Sequence, residues 1–269
     1  EFRTITAFKC RTVAFLGARG SFSHKACLQC FGTEVPLMSC SSFAEVFAAI
    51  ESGTASQGVI PVENSLTGSI HENYDLLLKH DLRIVGEVTL RVVHNLIGHP
   101  GTDPRDIRRV YSHPQVFEQC KVFLANHKDW DLVTVKDTAA GVLRLKENGD
   151  KTEAAIASKE AASLCRMTIL KEGIETNPRN FTRFVVISTE DFLQGPKNKS
   201  SLIYSVSDKP GSLYETLKIF AERNINLVKL ESRPIDDKPW EYLFYVDVEI
   251  DIQDEGQKPL LEDLQSKTE

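Results

Sequence analysis

Short apolar runs alternate with amphipathic segments along the first 190 residues of the chain. The run Val13–Leu16 is followed by a glycine turn and a helical segment, and the same order returns in "DLVTVKDTAAGVLRLK" and "EAAIASKEAASLC". Strands that alternate with helices in this way form a layered α/β fold with mostly parallel strands. The number of repeated units predicts two α/β lobes.

Helix-start signals add detail at three places. Ser42 followed by Glu45 forms a capping box ahead of apolar residues at helical spacing. Ser112 followed by Gln115 predicts a second capping box. The segment "NSLTGSIHENYDLLLKH", residues 64–80, is also predicted to be a helix. One side of that helix is expected to carry Leu66, Ile70, Leu77 and Leu78.

The pattern changes after residue 189. Residues 190–199 are polar and contain Gly-Pro, which is typical of a linker. Residues 200–269 then give strand, helix, strand, strand and helix, which is a ferredoxin-like βαββαβ unit without its last strand. We therefore predict a two-lobed domain over residues 12–189 and a smaller domain over 200–269. Residues 1–11 are interpreted as the remnant of a leader or of a cloning boundary.

Charge and composition exclude some classes of function. The net charge is −6, the pI is about 5.7, and no long Lys/Arg cluster occurs, so no nucleic-acid-binding face is expected. The longest apolar runs, such as "RFVVI", are too short to span a bilayer. Cys27 and Cys30 form a C-x-x-C, but no second pair with zinc-ligand spacing follows. We interpret them as residues on the inner face of a helix.

Small polar residues occur where four predicted strands end. They lie in residues 17–23, 63–65, 112–115 and 137–138. In parallel α/β sheets these junctions gather at the carboxyl ends of the strands, where helix N-termini offer N–H donors and a partial positive charge. Such residues also cap helices in the absence of any ligand. Four junctions that face one cleft would favour a site for a small organic anion with two carboxylates.

The stretch "NFTRFVVIS" places a hydroxyl and a guanidinium, Thr182 and Arg183, at the start of an apolar strand. Arg183 would add a bidentate clamp for a carboxylate. The sequence contains no G-x-S-x-G, H-E-x-x-H or P-loop, and its dinucleotide fingerprint is incomplete. The histidines do not form a metal set, and we expect those at 71, 80, 94 and 99 to be mostly solvated or capping. These features fit a reaction without metal or cofactor, in which positioning and electrostatics supply the catalysis.

The motifs taken together resemble one enzyme family. In chain order they are "GARGSFSHKA", "PVENSLTGSI", "SHPQ", "NFTRF", "PGSLYETL" and "ESRP". Over residues 12–266 they resemble the prephenate dehydratases, a family that includes the arogenate dehydratases. The resemblance implies a two-lobed, periplasmic-binding-protein-like catalytic domain, followed by an ACT domain that binds L-phenylalanine as feedback inhibitor. It also implies conversion of prephenate to phenylpyruvate, water and carbon dioxide by a homodimer or homotetramer.

The resemblance further implies roles for single residues. Thr182 would donate a hydrogen bond or proton to the leaving hydroxyl, Arg183 would hold a carboxylate, and Phe184 would pack beside the substrate ring. Glu63 would be either a structural cap or a proton partner. The other expected substrate-binding residues are Ser21, Asn64, Ser65, Gln115 and Thr138.

L-Phenylalanine is expected at an interface between the ACT domains of two subunits. Its predicted contacts are Gly211, Ser212 and Leu213 in the first regulatory motif and Glu231, Ser232, Arg233 and Pro234 in the second. The chain departs from the family pattern at Ala18, where proline is usual, at His24, where glutamate or glutamine is usual, and at Ser212, where alanine is usual.

Two alternatives remain open at the level of the sequence. Arogenate differs from prephenate by an ammonium in place of a keto group, and no single residue chooses between them. A non-catalytic two-lobed sensor of an anion or amino acid is permitted by the fold, although the hydroxyl of the T-R-F motif argues against it. The expected location is the cytoplasm, or the plastid stroma for a plant or algal source.

Overall fold

The structure is a computed structural model that describes residues 12–190, 198–235 and 238–269. The chain divides into two compact units between residues 192 and 193. The predicted leader remnant over residues 1–11 and most of the predicted linker over residues 190–199 lie outside the described residues. Each unit has its own sheet or sheets and its own core.

Helices and strands alternate along the first unit. Its strands are β1 (Val13–Leu16), β2 (Leu37–Cys40), β3 (Gln57–Asn64), β4 (Gly68–Ser69), β5 (Arg83–Arg91), β6 (Asn95–Gly98), β7 (Arg109–Ser112), β8 (Asp131–Thr134), β9 (Glu153–Ala157), β10 (Thr168–Lys171) and β11 (Phe181–Ser188). Its helices are α1 (Phe22–Phe31), α2 (Phe43–Glu51), α3 (His71–Lys79), α4 (Pro114–Gln119), α5 (Lys121–Leu124), α6 (Thr138–Asn148) and α7 (Lys159–Cys165). A short 3₁₀ turn covers Pro104–Asp106.

Two separate sheets divide the first unit into two lobes. The first lobe has the strand order β2-β1-β3-β11-β5, with β4 beside β3. In this sheet β1 runs parallel to β2 and β3, whereas β11 runs antiparallel to β3 and β5. The second lobe has the order β10-β6-β9-β7-β8, with β7 parallel to its two neighbours and the other pairs antiparallel. The two-lobed α/β prediction is confirmed, but the expectation of mostly parallel strands is wrong because both sheets are mixed.

Within residues 12–190 the chain passes between the two sheets twice. It leaves the first sheet after β5 through residues 92–94, and it returns from β10 through residues 172–180. The chain leaves the first sheet at the end of β5 and re-enters it at the start of β11, and both points face the second lobe. The two neighbouring strands β5 and β11 therefore run in opposite directions. The two crossing segments are joined by hydrogen bonds: Val92 N donates to Asn180 O at 2.8 Å, and Ile174 N donates to His94 O at 2.9 Å.

Apolar side chains fill each lobe. In the first lobe, α1 packs its Ala26 and Cys27 on β1, and Phe184 of β11 lies in the same cluster. Strand β9 is buried along its whole length, and its successive residues enter two different clusters on the two faces of the second sheet. A strand covered on both faces is expected to be continuously apolar, which explains the run "AAIA".

Helix α3 begins at His71, although the sequence predicted a helix from residue 64. The side-chain Oδ1 of Asn64 accepts hydrogen bonds from Leu66 N at 3.0 Å and Thr67 N at 3.1 Å. An asparagine that captures nearby backbone donors favours a turn over a helix, and β4 then pairs with β3. Leu66 and Leu78 are consequently exposed, so the predicted apolar face was wrong at both positions.

The two predicted capping boxes have different outcomes. Ser42 caps α2 by accepting a hydrogen bond from Glu45 N at 3.2 Å, as predicted, while the Glu45 carboxylate accepts Ser41 N. Ser112 does not cap α4, because its hydroxyl donates to Ile156 O at 2.7 Å. Proline favours the first helical position, and Pro114 occupies it, so the preceding residue, His113, is the cap.

The second unit is a three-stranded antiparallel sheet with two helices. Its elements are β12 (Ser200–Ser205), α8 (Ser212–Glu222), β13 (Leu227–Ile235), β14 (Lys238–Val248), a 3₁₀ turn (Glu255–Gln257) and α9 (Lys258–Gln265). Along the chain these elements follow the predicted order of strand, helix, strand, strand and helix. In the sheet the strands lie in the order β12-β14-β13. Tyr245 and Asp247 are buried, although they lie opposite the apolar face predicted for β14. In the described part of the chain, no helix has both the length and the apolar character that spanning a membrane requires.

Candidate active site

A cavity of about 260 Å³ lies between the two lobes of the first unit. Its walls come from both lobes and from the first crossing segment, so residues that are distant in the sequence meet there. The lining residues are Leu16, Gly17, Ser21, Phe22, Ser23, Pro61, Asn64, Thr67, Ile70, Val92, His94, His113, Gln115, Val116, Gln119, Lys136, Asp137, Thr138, Thr182 and Phe184.

Helices α1 and α6 both begin at this cavity. Ser21 caps α1 by accepting His24 N at 3.2 Å, and Asp137 caps α6 by accepting Ala140 N at 2.8 Å. The first turn of a helix has N–H groups without an acceptor in the helix, and these groups carry a partial positive charge. Ser21 and Thr138 are both buried at the cavity. Two of the predicted polar junctions thus meet at one cavity, and their helix ends suit an anion.

A lysine adds full positive charge at the cavity wall. Lys136 is the one lysine or arginine among the described lining residues, and its Nζ donates to Ser41 O of the first lobe at 2.6 Å. The neighbouring Asp137 supplies a negative charge, but one of its carboxylate oxygens is used to cap α6. The cavity therefore offers one ammonium and two helix N-termini to an anionic ligand.

The hydroxyl of Thr182 is held from behind by an amide. Thr182 is 9% exposed and lines the cavity, and its Oγ1 accepts a hydrogen bond from Asn64 Nδ2 at 2.9 Å. No acceptor among the described residues takes the proton of this hydroxyl, so it is available to a molecule in the cavity. A hydroxyl that accepts one hydrogen bond is polarised and becomes a stronger donor of its own.

Backbone donors fix the orientation of the Asn64 amide. Leu66 N and Thr67 N both donate to Asn64 Oδ1. Since a backbone N–H can only donate, the atom that they contact is the amide oxygen, and the amide nitrogen faces Thr182. The turn at Asn64, which moves the start of α3 to His71, therefore also determines that an N–H of Asn64 faces the Thr182 hydroxyl.

Arg183 and Glu63 lie on the opposite face of the sheet from the cavity. Arg183 Nε donates to Glu87 Oε2 at 2.8 Å, and its Nη1 lies 4.0 Å from Glu63 Oε2. Successive residues of a strand point to opposite faces, so Thr182 faces the cavity and Arg183 does not. Neither Arg183 nor Glu63 lines the cavity, so this geometry does not support the expected carboxylate clamp by Arg183, and of the two roles expected for Glu63 it favours a structural one, as an ion-pair partner of Arg183.

The other predicted site residues also separate into two groups. Ser65 is exposed and outside the cavity: its hydroxyl donates to Arg179 O at 3.0 Å and accepts Phe181 N at 2.9 Å, so it fastens the start of β11. Phe184 is 1% exposed and contributes a wall. The predicted residues that line the cavity are Ser21, Asn64, Gln115, Thr138, Thr182 and Phe184.

Besides Lys136, three polar residues near the site were missed by sequence reasoning. Asn180 Nδ2 donates to Gln119 Oε1 at 2.9 Å, and His94 Nε2 lies 2.7 Å from the same oxygen. His94 is 1% exposed, so the expectation of a solvated or capping histidine was wrong. Gln119 lies one helical turn after Gln115, and Asn180 lies two residues before Thr182, just ahead of β11. These spacings were signals that could have identified both.

Cys27 and Cys30, the C-x-x-C pair, lie on α1 at the core of the first lobe. Burial raises the pKa of Cys27 well above its usual range and that of Cys30 to about 11, so both thiols are protonated near neutral pH. Within residues 12–190, 198–235 and 238–269, no group of three or more His, Cys, Asp or Glu side chains is placed to hold a metal ion.

A separate hollow of about 410 Å³ lies at the start of α8 in the second unit. Gly211 and Ser212 line it, together with the segment 266–269. Leu213 and the stretch Glu231–Pro234 do not line this hollow; the latter belongs to β13, where Glu231 pairs with Lys229 at 2.9 Å. The two predicted regulatory motifs are therefore placed on different elements of this unit.

The model of one protein family, prephenate dehydratase, matches residues 13–192, and the ACT domain model matches residues 200–266. The chain belongs to the prephenate dehydratase family. This confirms the family that the motifs predicted, including the ACT domain. Within this family, the cavity between the two lobes is the candidate active site, and Thr182 of the T-R-F motif lies in its wall.

Relatives within and near the prephenate dehydratase family are similar to this chain over nearly its whole length. "Arogenate dehydratase/prephenate dehydratase 2, chloroplastic" of Arabidopsis thaliana is 39% identical over 256 residues, which cover 90% of this chain and 66% of that protein. The chain thus spans slightly less than two thirds of that relative. Prephenate dehydratase of Arthrobacter aurescens, solved in complex with L-Phe, has a TM-score of 0.85 at 29% identity, covering 96% of this chain and 86% of that one.

A second solved structure carries a different activity. GqqA, described as a novel type of quorum quenching acylase, has a TM-score of 0.86 at 32% identity and covers 96% of this chain and 94% of its own. The architecture of a prephenate dehydratase is therefore shared with a protein named for acyl chemistry. The choice between these activities depends on the side chains in the cavity.

Proposed function

We propose that this protein is a prephenate dehydratase that converts prephenate to phenylpyruvate, water and carbon dioxide. The observation that carries the proposal is the hydroxyl of Thr182, which is held by the Asn64 amide and presents its proton to an anion-binding cavity. Prephenate has a carboxylate and a hydroxyl on opposite carbons of its ring. Loss of both groups makes the ring aromatic, so the enzyme needs to assist only one departure.

The proposed reaction breaks two bonds of the substrate ring, and Thr182 assists one of these steps. The ring C–O bond breaks as the hydroxyl takes up one proton and leaves as water, and the ring C–C bond to the carboxylate breaks to release carbon dioxide. The bond pair from the carboxylate enters the ring. Thr182 donates a hydrogen bond to the leaving oxygen, and the proton comes through Thr182 or from solvent. A positioned donor of this kind contributes about 10²- to 10⁴-fold to a rate.

Anion binding and an apolar wall complete the proposed mechanism. The N-termini of α1 and α6, with Lys136, hold the carboxylates. Gln119 contributes its amide N–H₂ group, because its oxygen is already occupied by Asn180 and His94. Phe184 supplies an apolar wall beside the ring. Donors that are already fixed toward the developing charge stabilise the transition state without having to reorganise during the reaction.

The first test is turnover by the purified chain, without added metal or nucleotide, on prephenate and on arogenate side by side. We expect phenylpyruvate from prephenate. Because Lys136 and Asp137 both line the cavity, the ratio of kcat/KM for the two substrates decides between prephenate and arogenate. No product from either substrate, with tight binding of both, would identify a sensor instead.

The similarity to an acylase does not favour acyl hydrolysis here. A hydroxyl nucleophile needs a base that accepts its proton, whereas Thr182 Oγ1 receives an N–H from Asn64. That contact makes the oxygen a weaker nucleophile and the hydroxyl a stronger donor. Efficient release of acid from an acylated substrate by the same preparation, without turnover of prephenate, would favour the acylase reading.

We propose in addition that L-phenylalanine regulates the enzyme through its second unit. The ACT match over residues 200–266 and the L-Phe complex of the Arthrobacter aurescens relative support this. The proposed contacts are the seven residues Gly211, Ser212, Leu213, Glu231, Ser232, Arg233 and Pro234, at an interface between subunits. A homodimer or homotetramer follows from that interface, and light scattering on the purified protein measures it. The proposed compartment is the cytoplasm or the plastid stroma.

A further inference from the structure

Four side chains connect the two lobes of the first unit by hydrogen bonds. They are Asn64, Asn180, Gln119 and His94, and we call them the amide chain. Asn64 Nδ2 donates to Asn180 Oδ1 at 2.7 Å, and Asn180 Nδ2 donates to Gln119 Oε1 at 2.9 Å. His94 Nε2 lies 2.7 Å from the same Gln119 oxygen. The amide chain therefore begins beside Thr182 and ends at a buried imidazole.

The direction of every bond in the amide chain follows from its first member. Backbone N–H groups fix the oxygen of Asn64, so its nitrogen faces Asn180. Asn180 must then present its oxygen to Asn64 and its nitrogen to Gln119. Gln119 must in turn present its oxygen to both Asn180 and His94.

This direction determines which nitrogen of His94 carries a proton. An oxygen of Gln119 can only accept, so His94 Nε2 must be a donor. Burial lowers the pKa of His94, although the hydrogen bond to Gln119 and the charge of Glu175 oppose this, so the ring is neutral near pH 7. The neutral ring is therefore the Nε2–H tautomer with a bare Nδ1. Among the described residues, Nδ1 is buried and has no hydrogen-bond partner.

The hydrogen bond between His94 and Gln119 joins a crossing segment to the second lobe. His94 is the last residue of the first crossing segment, and Asn180 is the last residue of the second. His94 is further held by its backbone N–H, which donates to Glu175 Oε2 at 3.0 Å, and by an edge contact with the ring of Phe22. The amide chain thus reaches Thr182 of the first lobe from Gln119 of the second through the two segments that join them.

We propose that His94 is a positioning residue for the reaction of this site. Its Nε2–H holds the oxygen of Gln119, which keeps Gln119 in the orientation that the Asn64 and Asn180 amides set and leaves the Gln119 N–H₂ for the substrate. Without that donor, the Gln119 amide turns more freely and presents oxygen to an anionic ligand. The proposal rests on the proposed role of Thr182 as a donor.

Two substitutions of His94 distinguish the effect of its N–H donor from the effect of the volume of its ring. His94→Gln retains an N–H at about the place of Nε2, whereas His94→Leu fills a similar volume without a donor. We expect kcat on prephenate to fall about 10- to 100-fold in His94→Leu, as misplaced catalytic groups commonly cause. His94→Gln should recover most of that loss. Equal losses in the two variants, or no loss in His94→Leu, would overturn the proposal.

His99 offers a matched control. Its Nε2 lies 2.8 Å from Leu145 O, so it also makes one ring–carbonyl hydrogen bond in the first unit, but it lies outside the cavity and the amide chain. His99→Leu should lower stability while leaving kcat within about twofold, since its hydrogen bond has only a modest net energy. A drop in kcat as large as that of His94→Leu would mean that loss of stability alone explains both.

A spectroscopic test does not depend on activity. The ¹⁵N shifts of ring nitrogens in ¹⁵N-histidine-labelled protein distinguish a protonated nitrogen from a bare one, and His94→Gln identifies the signals. We expect the Nε2–H tautomer in the wild type. In Asn180→Asp, the new carboxylate oxygen should turn the Gln119 amide and convert His94 to the Nδ1–H tautomer.

The Nδ1–H tautomer in the wild type would overturn the proposal, and so would an unchanged tautomer in Asn180→Asp. If the wild type shows the Nε2–H tautomer but does not turn over prephenate, the amide chain stands and the proposed function fails. If the wild type turns over prephenate but shows the Nδ1–H tautomer, the function stands and the role of His94 fails.

Discussion

The amide of Asn64 determines what the hydroxyl of Thr182 can do. An isolated threonine is a poor acid, and the T-R-F motif alone does not explain how one assists a leaving group. In the structure, Oγ1 accepts an N–H and its own proton is left for the cavity. Donation to the oxygen polarises the O–H bond, so the activating group is a neighbour on β3 that the motif does not contain.

Asn64→Asp removes the N–H₂ group that contacts Thr182 and Asn180, with almost no change in shape. One carboxylate oxygen keeps the turn at Leu66 and Thr67, while the other replaces the N–H₂ group. Thr182 then donates its proton to Asp, away from the substrate, and kcat should fall about 10²-fold or more, the range expected for loss of a positioned donor. Steady-state kinetics on prephenate measure this.

The control for the added charge is Asn126→Asp, an exposed position whose amide contacts Val122 O within the same helical segment. It should keep wild-type kcat. If Asn64→Asp also keeps wild-type kcat, the hydroxyl of Thr182 does not need the N–H, and the polarisation argument fails.

At the scale of elements, the sequence predicted the order of strands and helices better than the direction of side chains. Strand–helix alternation and the junction at Asp137 come from local patterns, and the structure contains both. Arg183 was misplaced because adjacent residues in a motif were assigned to one site, although a strand points them to opposite faces. The start of α3 was misplaced because the Asn64 turn depends on a side chain capturing backbone donors, which periodicity does not reveal.

The loop before α1 makes a close contact between the lobes. Gly20 has φ +95°, and its carbonyl oxygen accepts the Ser158 hydroxyl at 2.6 Å. A Cβ on Gly20 would lie 2.7 Å from Ala161 Cα of α7. Gly20→Ala should therefore lower the free energy of unfolding by about 2–4 kcal/mol, the sum of left-handed backbone strain and overpacking. Urea denaturation measures the change.

Gly149→Ala is the matched control, because Gly149 also has a positive φ (+70°) but a Cβ there would meet nothing within 4 Å. It should lose only about 1 kcal/mol through backbone strain. Equal losses for the two variants would show that the contact with Ala161 imposes no constraint. Gly20→Ala should also lower kcat/KM, since Ser21 at the start of α1 adjoins the displaced loop.

At the scale of the whole molecule, the sequence predicted two lobes and a smaller second unit, but not how the lobes are joined. The two crossing segments and the mixed sheets arise because β11 returns to the first sheet after the second lobe is complete. Contacts such as Asn64 with Asn180, 116 residues apart, depend on that return. Short-range patterns contain no information on such pairings, so the contacts of Gln119 with Asn180 and His94 were recognised only in three dimensions.

The proposed regulation by L-phenylalanine assigns a role to the second unit. Calorimetry with L-phenylalanine should give at least about tenfold weaker binding to Glu231→Ala than to wild type, because a charged hydrogen bond to the ligand ammonium contributes about 1.5–3 kcal/mol. Glu255→Ala, an exposed acidic position in the same unit, should bind as wild type does. Equal binding by wild type and Glu231→Ala would exclude Glu231 from the effector site.

If the Thr182 hydroxyl acts on the substrate, its removal in Thr182→Val and its retention in Thr182→Ser should have opposite effects on kcat with prephenate. Asn64 has three acceptors for its two N–H bonds, Thr182 Oγ1, Phe181 O and Asn180 Oδ1, so valine leaves no buried donor unpaired and the fold should persist. We predict that kcat falls about 10²- to 10⁴-fold in Thr182→Val and that Thr182→Ser, which keeps the hydroxyl, retains most of the turnover. Wild-type turnover by Thr182→Val would contradict the account.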